Sequence, residues 1–286
     1  MKLLSFHLNE YTRLGWLQDN GKTVLSPALN DPALPKTMMD MINGGDEARQ
    51  QLINARDDLD VFEYSQLEIL SPVPTEGIFC IGMNYHDHAK EAGATPSEYP
   101  VLFLRLPRNH VAHKVPMWIP SASDTLDWEG ELVAVIGKGG RHISRDNAMR
   151  HVFGYSIYNE GTVRGYLNHT AQLGMGKNFE ASGSFGPCVV TADAFGDPYA
   201  HSIETRIDGE VVQNGSIDLM IHRIEETIVY LSEGTNLQPG DIICTGTPGG
   251  VGGIRKPPRY LKSGELIEVT IDGIGTLSNP IHREPR

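Results

Sequence analysis

Eight short apolar runs, each closed by Gly, Pro, Asp or Asn, follow one another between residues 77 and 279, with one persuasive helix among them. They are GIFCIGMN, YPVLFLR, GELVAVIGKG, FGYSIYNE, GPCVVTAD, SIETRIDGEVVQ, GDIICTGT and ELIEVTIDGIGTLSN, and two of them carry the Asp-Gly turn of a hairpin. Many strands with few helices call for sheets joined by tight turns. The chain is therefore expected to be mainly β within an α+β class, as a mostly antiparallel barrel or roll. The helix is placed from Ser216 to Glu233, with Met220, Ile224, Ile228 and Leu231 on one face and Gly234 as its C-terminal cap.

Residues 1–70 read as a separate small α+β domain. RLGWLQDNGKTVLSP is two apolar runs around Asn20-Gly21, a type I′ hairpin signal. A helix follows, carrying Met38, Met41, Ile42 and Leu52 and broken at Gly44-Gly45. No chemistry is visible there. LSPVPTEG is the expected linker to a second domain over residues 74–286.

A chain of 286 residues can bury one large core with a small companion. No apolar stretch reaches the length of a membrane helix, and MKLLSFHLNEYTR turns polar too early for a signal peptide, so a cytoplasmic protein with no membrane partner is expected. Cys80, Cys188 and Cys244 lie far apart in apolar runs, the pattern of buried thiols and not of a disulfide framework or a zinc site. A net charge of −12 repels nucleic acid, and a small anionic ligand would need local cations or a metal to reverse that field.

TLDWEGELVAVIG, residues 125 to 137, is the stretch where chemistry enters. Side chains alternate along a strand, so Asp127, Glu129 and Glu131 share a face, which Val133 and Val135 continue as an apolar one. Carboxylates alone fit a strand end dipping into water. The apolar continuation points instead to an inward face, where the charges need a cation, and oxygen-only ligands suit Mg²⁺, Mn²⁺ or Ca²⁺ better than zinc. A third ligand must come from a second strand, and Glu160, at the end of GYSIYNE, is the best placed.

IFCIGMNYHDHAKE, PVLFLR, DWEGELVAVIG, GYSIYNEGTVR, GKNFEASGSFGP, GDIICTGTPGGVG and LKSGELIEVTIDGIGTLSNPI, in that order, resemble the fumarylacetoacetate hydrolase family over residues 74 to 286. The resemblance implies a β-roll domain, a homodimer, a small anionic 2-oxo-acid substrate and no organic cofactor. It also implies Mg²⁺ or Mn²⁺ held by two glutamates of an E-x-E strand and the Asp of a following N-D motif. Glu129 and Glu131 match the pair, and Glu160 stands where the Asp usually stands.

By the same resemblance, His88 and Glu91 are a general base and its orienting carboxylate, on a lid over residues 86 to 100 that orders over the substrate. His86 is expected to be an ordinary surface histidine, and Asp87 to support the pair. Lys177 in GKNF matches a lysine beside the substrate's oxygens. Arg105, where the family often has Lys, is positioned to clamp a carboxylate. TGTPGGVGG lacks the Lys-Ser/Thr ending of a P-loop. As a family match, Thr247 donates to a substrate carboxylate while Gly246 permits close backbone approach, and Tyr85 completes the substrate-binding set. Two departures stand out. Leu167 replaces a glutamine that usually faces the site, and GGIRKPPRYLKSG is longer and more basic than usual, placing Arg255 or Arg259 near an anionic substrate.

The function these features imply is metal-dependent hydrolysis of a carbon–carbon bond in a 2,4-dioxo acid of the acylpyruvate type, releasing pyruvate and a carboxylic acid. Decarboxylation of oxaloacetate passes through the same enolate and is the nearest alternative, beside isomerase or hydratase chemistry. A catalytically weak metabolite-binding protein on the same fold is the alternative from another class.

Overall fold

The computed structural model describes residues 1–285. Its main sheet runs in the order Asp60–Glu63, Thr23–Ser26, Tyr11–Leu17, Lys2–Leu8, Gly183–Thr191, Val152–Asn159, Gly130–Ile136, Ile242–Cys244, Ile78–Gly82 and Val101–Arg105. Pairing along it is antiparallel except between Ile242–Cys244 and Ile78–Gly82. The first and last strands of this path do not pair with each other, so the sheet is an open roll and not a closed barrel. A second sheet, ordered Glu210–Ser216, Ser202–Ile207, Leu266–Ile271, Gly275–Arg283 and Met117–Ile119, packs against the first. Among the described residues, no helix is long and apolar enough to cross a membrane.

The strand Gly130–Ile136 is buried along its whole length on both faces. Leu132, Ala134 and Ile136 join the cluster between the two sheets with Ile203, Val269 and Ile271, while Val133 and Val135 join another with Ile78, Cys80 and Cys244. The period-2 alternation of the sequence is therefore a choice between two cores and not between core and water. The three cysteines are free and buried. Met38, Met41, Ile42 and Leu52 of the helix Met38–Asn54 pack on the second of these clusters, and the helix is kinked at Gly45. Thr37 caps it with Asp40 in a reciprocal capping box. The strands of residues 1–70 continue the main sheet, because Lys2 and Leu3 pair with Val190 and Val189.

Two local expectations are corrected. Asn20-Gly21 is not a two-residue turn: the strands end at Leu17 and resume at Thr23, and Asn20 Oδ1 accepts from the N–H groups of Lys22 and Thr23 to hold a longer loop. The helix expected from Ser216 begins only at Ile224 and ends at Gly234, with Thr235 and not a glycine as its C-cap. Ser216 instead caps a short 3₁₀ turn over Ile217–Leu219, and Met220 forms a backbone bridge to Tyr85.

Candidate active site

Gly130 separates the two glutamates for a steric reason. A Cβ there would lie 2.5 Å from Thr205 Oγ1 and 2.9 Å from Val269 Cγ1, so the second sheet leaves no room for a side chain. Register then supplies the third acid. Gly130 and Glu131 pair with Asn159 and Tyr158, and Glu160 N–H donates to the Glu129 carbonyl at 2.8 Å. Carboxylate oxygens of Glu129, Glu131 and Glu160 all lie within 4.8 Å of one another. These residues and Asp127 are 0 to 5% exposed, which removes the reading of a strand end dipping into water.

The compensation comes from three cations. Lys177 Nζ donates to Glu129 Oε2 at 2.7 Å and to Glu160 Oε2 at 2.9 Å. Arg164 donates from Nη2 to Glu129 Oε1 at 2.6 Å and from Nε to Asp127 Oδ2 at 2.7 Å. Arg105 Nη1 lies 3.9 Å from Glu160 Oε1. Burial alone would hinder ionisation of Glu129, but the charges of Lys177 and then Arg164 hold its carboxyl down to about 2. Burial also works against the Lys177 ammonium and is outweighed by Glu129 and Glu160, which push its pKa up. Among the described residues Glu131 has no such partner. Burial and then the charge of Glu160 push its carboxyl well above the usual range, and its Oε2 accepts, among those residues, only the N–H of Gly246, at 2.9 Å.

This oxygen-only donor set could hold a hard divalent cation. The buried Glu160 Oε1, which has no hydrogen-bond partner among the described residues, supports that fit.

Glu129 and Glu131, but not Glu160, border a cavity of about 250 Å³, also lined by His88, Arg164, Lys177, Gly246 and Thr247. A larger cavity of about 710 Å³, beside Gly45 and Arg49, contains none of them. His88 lies on the helix His86–Ala92 and is 6% exposed; burial lowers its pKa, which Glu129 only partly offsets. Its Nδ1 is 3.8 Å from Glu91 Oε2, too far for a hydrogen bond, and Glu91 Oε2 instead accepts from Gly250 N–H at 2.8 Å.

Three residues expected at the substrate are occupied elsewhere. Tyr85 is fully buried in the core between the sheets and does not line the cavity. Arg105 sits behind Glu160 and donates to Gly161 O and Ser182 Oγ. Thr247 lines the cavity, but its hydroxyl donates to Gly130 O and accepts from Gln213 Nε2. Arg255 and Arg259 lie over the Trp128 ring, 5.3 and 5.7 Å from its centroid, and are not part of the cavity lining. Arg164 is the functional candidate that sequence reading missed. Its role depends on Asp127 and Glu129, which are distant in sequence, so no local signal announces it.

Residues 77–282 match the family model described as Fumarylacetoacetate (FAA) hydrolase C-terminal. The chain belongs to the fumarylacetoacetate hydrolase family. Within that family it is 40% identical over 262 residues to the oxaloacetate tautomerase YisK of Bacillus subtilis (strain 168), a match covering 87% of each chain. It is 35% identical over 287 residues to the mitochondrial oxaloacetate tautomerase fahd2 of Xenopus laevis, covering 98% of this chain and 90% of that protein. Among solved structures, the fumarylacetoacetate hydrolase (EaFAH) from psychrophilic Exiguobacterium antarcticum is similar, with a TM-score of 0.85 at 33% identity, covering 99% of this chain and 100% of that one. The names of these family members thus span tautomerisation and hydrolysis, and fold alone does not choose between them.

Proposed function

We propose that this chain is a divalent-metal-dependent tautomerase of 2-oxo acids that interconverts the enol and keto forms of oxaloacetate. One observation carries the reading. The cavity lined by Glu129 and Glu131, which cluster with Glu160, is also lined by His88, whose Nδ1 has no hydrogen-bond partner among the described residues. The names of the 35 to 40% identical relatives support it.

Glu129, Glu131 and Glu160 would hold Mg²⁺ or Mn²⁺, and such an ion, when bound, supplies Lewis acidity that favours negative charge on a 2-oxo-acid oxygen. His88, kept neutral by burial, accepts or returns the proton that moves at C3. Lys177, whose ammonium is secured by Glu129 and Glu160, presents positive charge to the oxygen at which the enol proton is lost. Arg164 fixes Glu129 in orientation through its second donor pair to Asp127.

Tautomerisation needs one proton carrier, whereas hydrolysis also needs an oriented nucleophilic water. Acylpyruvate hydrolysis is the second reading, favoured by the i,i+3 placement of His88 and Glu91, which a small helix adjustment would bring into hydrogen-bond range. A homodimer belongs to the same proposal, supported by the exposed Leu102 and Leu104 on the terminal strand of the main sheet. The test is the rate of enol loss from oxaloacetate with Mg²⁺ or EDTA, run beside pyruvate release from a panel of acylpyruvates. Metal-dependent enol loss above the buffer rate supports the tautomerase. Pyruvate release with no acceleration of enol loss would install the hydrolase instead.

A further inference from the structure

The cavity lining is of two kinds. Glu129, Glu131, Lys177, Arg164, His88 and Asn168 are polar, and Ile81, Met83, Val101, Phe103, Leu167 and Leu173 make an apolar wall. Every lysine or arginine lining the cavity, among the described residues, is already committed to carboxylates. Arg164 donates to Asp127 and Glu129, and Lys177 to Glu129 and Glu160. A substrate whose 2-oxo-acid end lies at the glutamates and whose C3 lies near His88 therefore turns its far end toward hydrocarbon. An apolar group there gains by leaving water.

The wall is held in place by backbone packing. The short helices Arg164–Leu167 and Gly174–Lys177 cross where Gly176 touches Leu167, and a Cβ on Gly176 would lie 2.6 Å from Leu167 Cα. Leu167 is thereby fixed one residue away from the lysine that serves the reacting end. Phe103 joins the two kinds of lining, since Lys177 Nζ lies 4.9 Å from its ring centroid.

We infer that this wall is a subsite for an uncharged apolar substituent, and that the chain also tautomerises 2-oxo acids carrying an aryl or alkyl group on C3, of which phenylpyruvate is the probe. The inference rests on the tautomerase reading and extends its substrate class. The step balances without any co-reactant: the enol O–H loses its proton, C3 gains one, and the C2=C3 double bond becomes C2=O.

The experiment measures kcat/KM for ketonisation of enol-phenylpyruvate and enol-oxaloacetate, with Mg²⁺, on the unaltered protein and on Leu167→Gln and Leu173→Gln. The result expected is turnover of both compounds by the unaltered protein. Each variant should then lower the phenylpyruvate-to-oxaloacetate ratio by about tenfold or more, chiefly through the KM for phenylpyruvate, the scale of burying a few methylenes. Because both rates are read on one preparation, partial misfolding of a variant cancels from the ratio. The inference is overturned, with the tautomerase reading intact, if oxaloacetate is turned over while phenylpyruvate is neither substrate nor competitive inhibitor, or if both variants leave the ratio unchanged. If the unaltered protein accelerates neither compound, the tautomerase reading fails and takes the inference with it.

Discussion

At Asp127 the carboxylate is saturated: Oδ1 accepts from Trp128 N–H and Gly252 N–H, and Oδ2 from Gly253 N–H and Arg164 Nε, all within 2.7 to 2.8 Å. Four residues further along the same run, Glu131 is equally buried but receives a single N–H, and it faces Glu129 and Glu160. Two acids of one short stretch are thus put to opposite uses. Asp127 binds the glycine-rich loop, the Trp128 segment and Arg164 into one piece, which is architecture. Glu131 is left with charge to share, which makes sense only beside a cation or a proton. Burial does not distinguish the two; the number of donors aimed at each does.

The largest expected effect falls on the saturated acid. Asp127→Ala strands two loop N–H groups and the Arg164 guanidinium, and should cost about 3 to 5 kcal/mol of stability, the range for removing one partner of a buried pair. Urea unfolding in EDTA measures it. A loss below about 1 kcal/mol would erase the architectural half of the comparison.

Glu131→Gln should behave in the reverse way. Replacing a desolvated acid by a neutral amide leaves folding in EDTA unchanged or improved, while removing a metal ligand should lower tautomerase activity by at least about a hundredfold, the upper end seen for loss of a mere supporting group. Mn²⁺ titration followed by electron paramagnetic resonance should show weakened binding. A variant as unstable as Asp127→Ala, or one with unchanged Mn²⁺ affinity, would break the distinction. His88→Ala sharpens it further, because His88 lines the cavity without belonging to the carboxylate cluster. It should lose about a hundredfold in ketonisation, the scale of a lost general base, at unchanged Mn²⁺ affinity.

Much of this was legible in the chain itself. The strands announced themselves because apolar runs between turn residues have few other uses, and Glu129, Glu131 and Glu160 could be grouped because a carboxylate face that continues as Val133 and Val135 must turn inward. What escaped had no local signature. Arg164 gains its role from Asp127 and Glu129 across a strand pairing, and Tyr85 and Arg105 are drawn away from the cavity by a core and a backbone carbonyl that no spacing rule encodes. The helix was overextended to Ser216 because Met220 keeps helical spacing with Ile224, although Ser216 caps its own short turn. The apolar period there reports burial, not helix.

The smallest expected effect uses pH to set the unpaired acid against buried bases. Among the described residues His110 and His113 have no carboxylate partner, and burial, helped by Arg105 and Lys114 respectively, pushes their pKa values down to about 4. In the unfolded chain a histidine titrates near 6.5, so between pH 6.5 and 5.5 the unfolded state takes up protons that the folded state refuses. Stability attached to these two groups is complete above that range and falls by about 1 kcal/mol for each over that one unit. His88, also lowered by burial, acts in the same direction. Glu129, held at about 2, stays ionised throughout and contributes nothing to the slope. Glu131 opposes the histidines: its carboxyl is raised in the folded state, so the folded protein holds a proton the unfolded chain releases, and the penalty shrinks as the pH falls. The unaltered protein should therefore lose stability only gently between pH 6.5 and 5.5 in EDTA, whereas Glu131→Gln, freed of the opposing group, should lose it more steeply, by about 2 kcal/mol. Parallel urea titrations at the two pH values decide the matter. Equal slopes in the two proteins would mean that Glu131 is as well compensated as Asp127, and the contrast between the two ends of the carboxylate run would not hold.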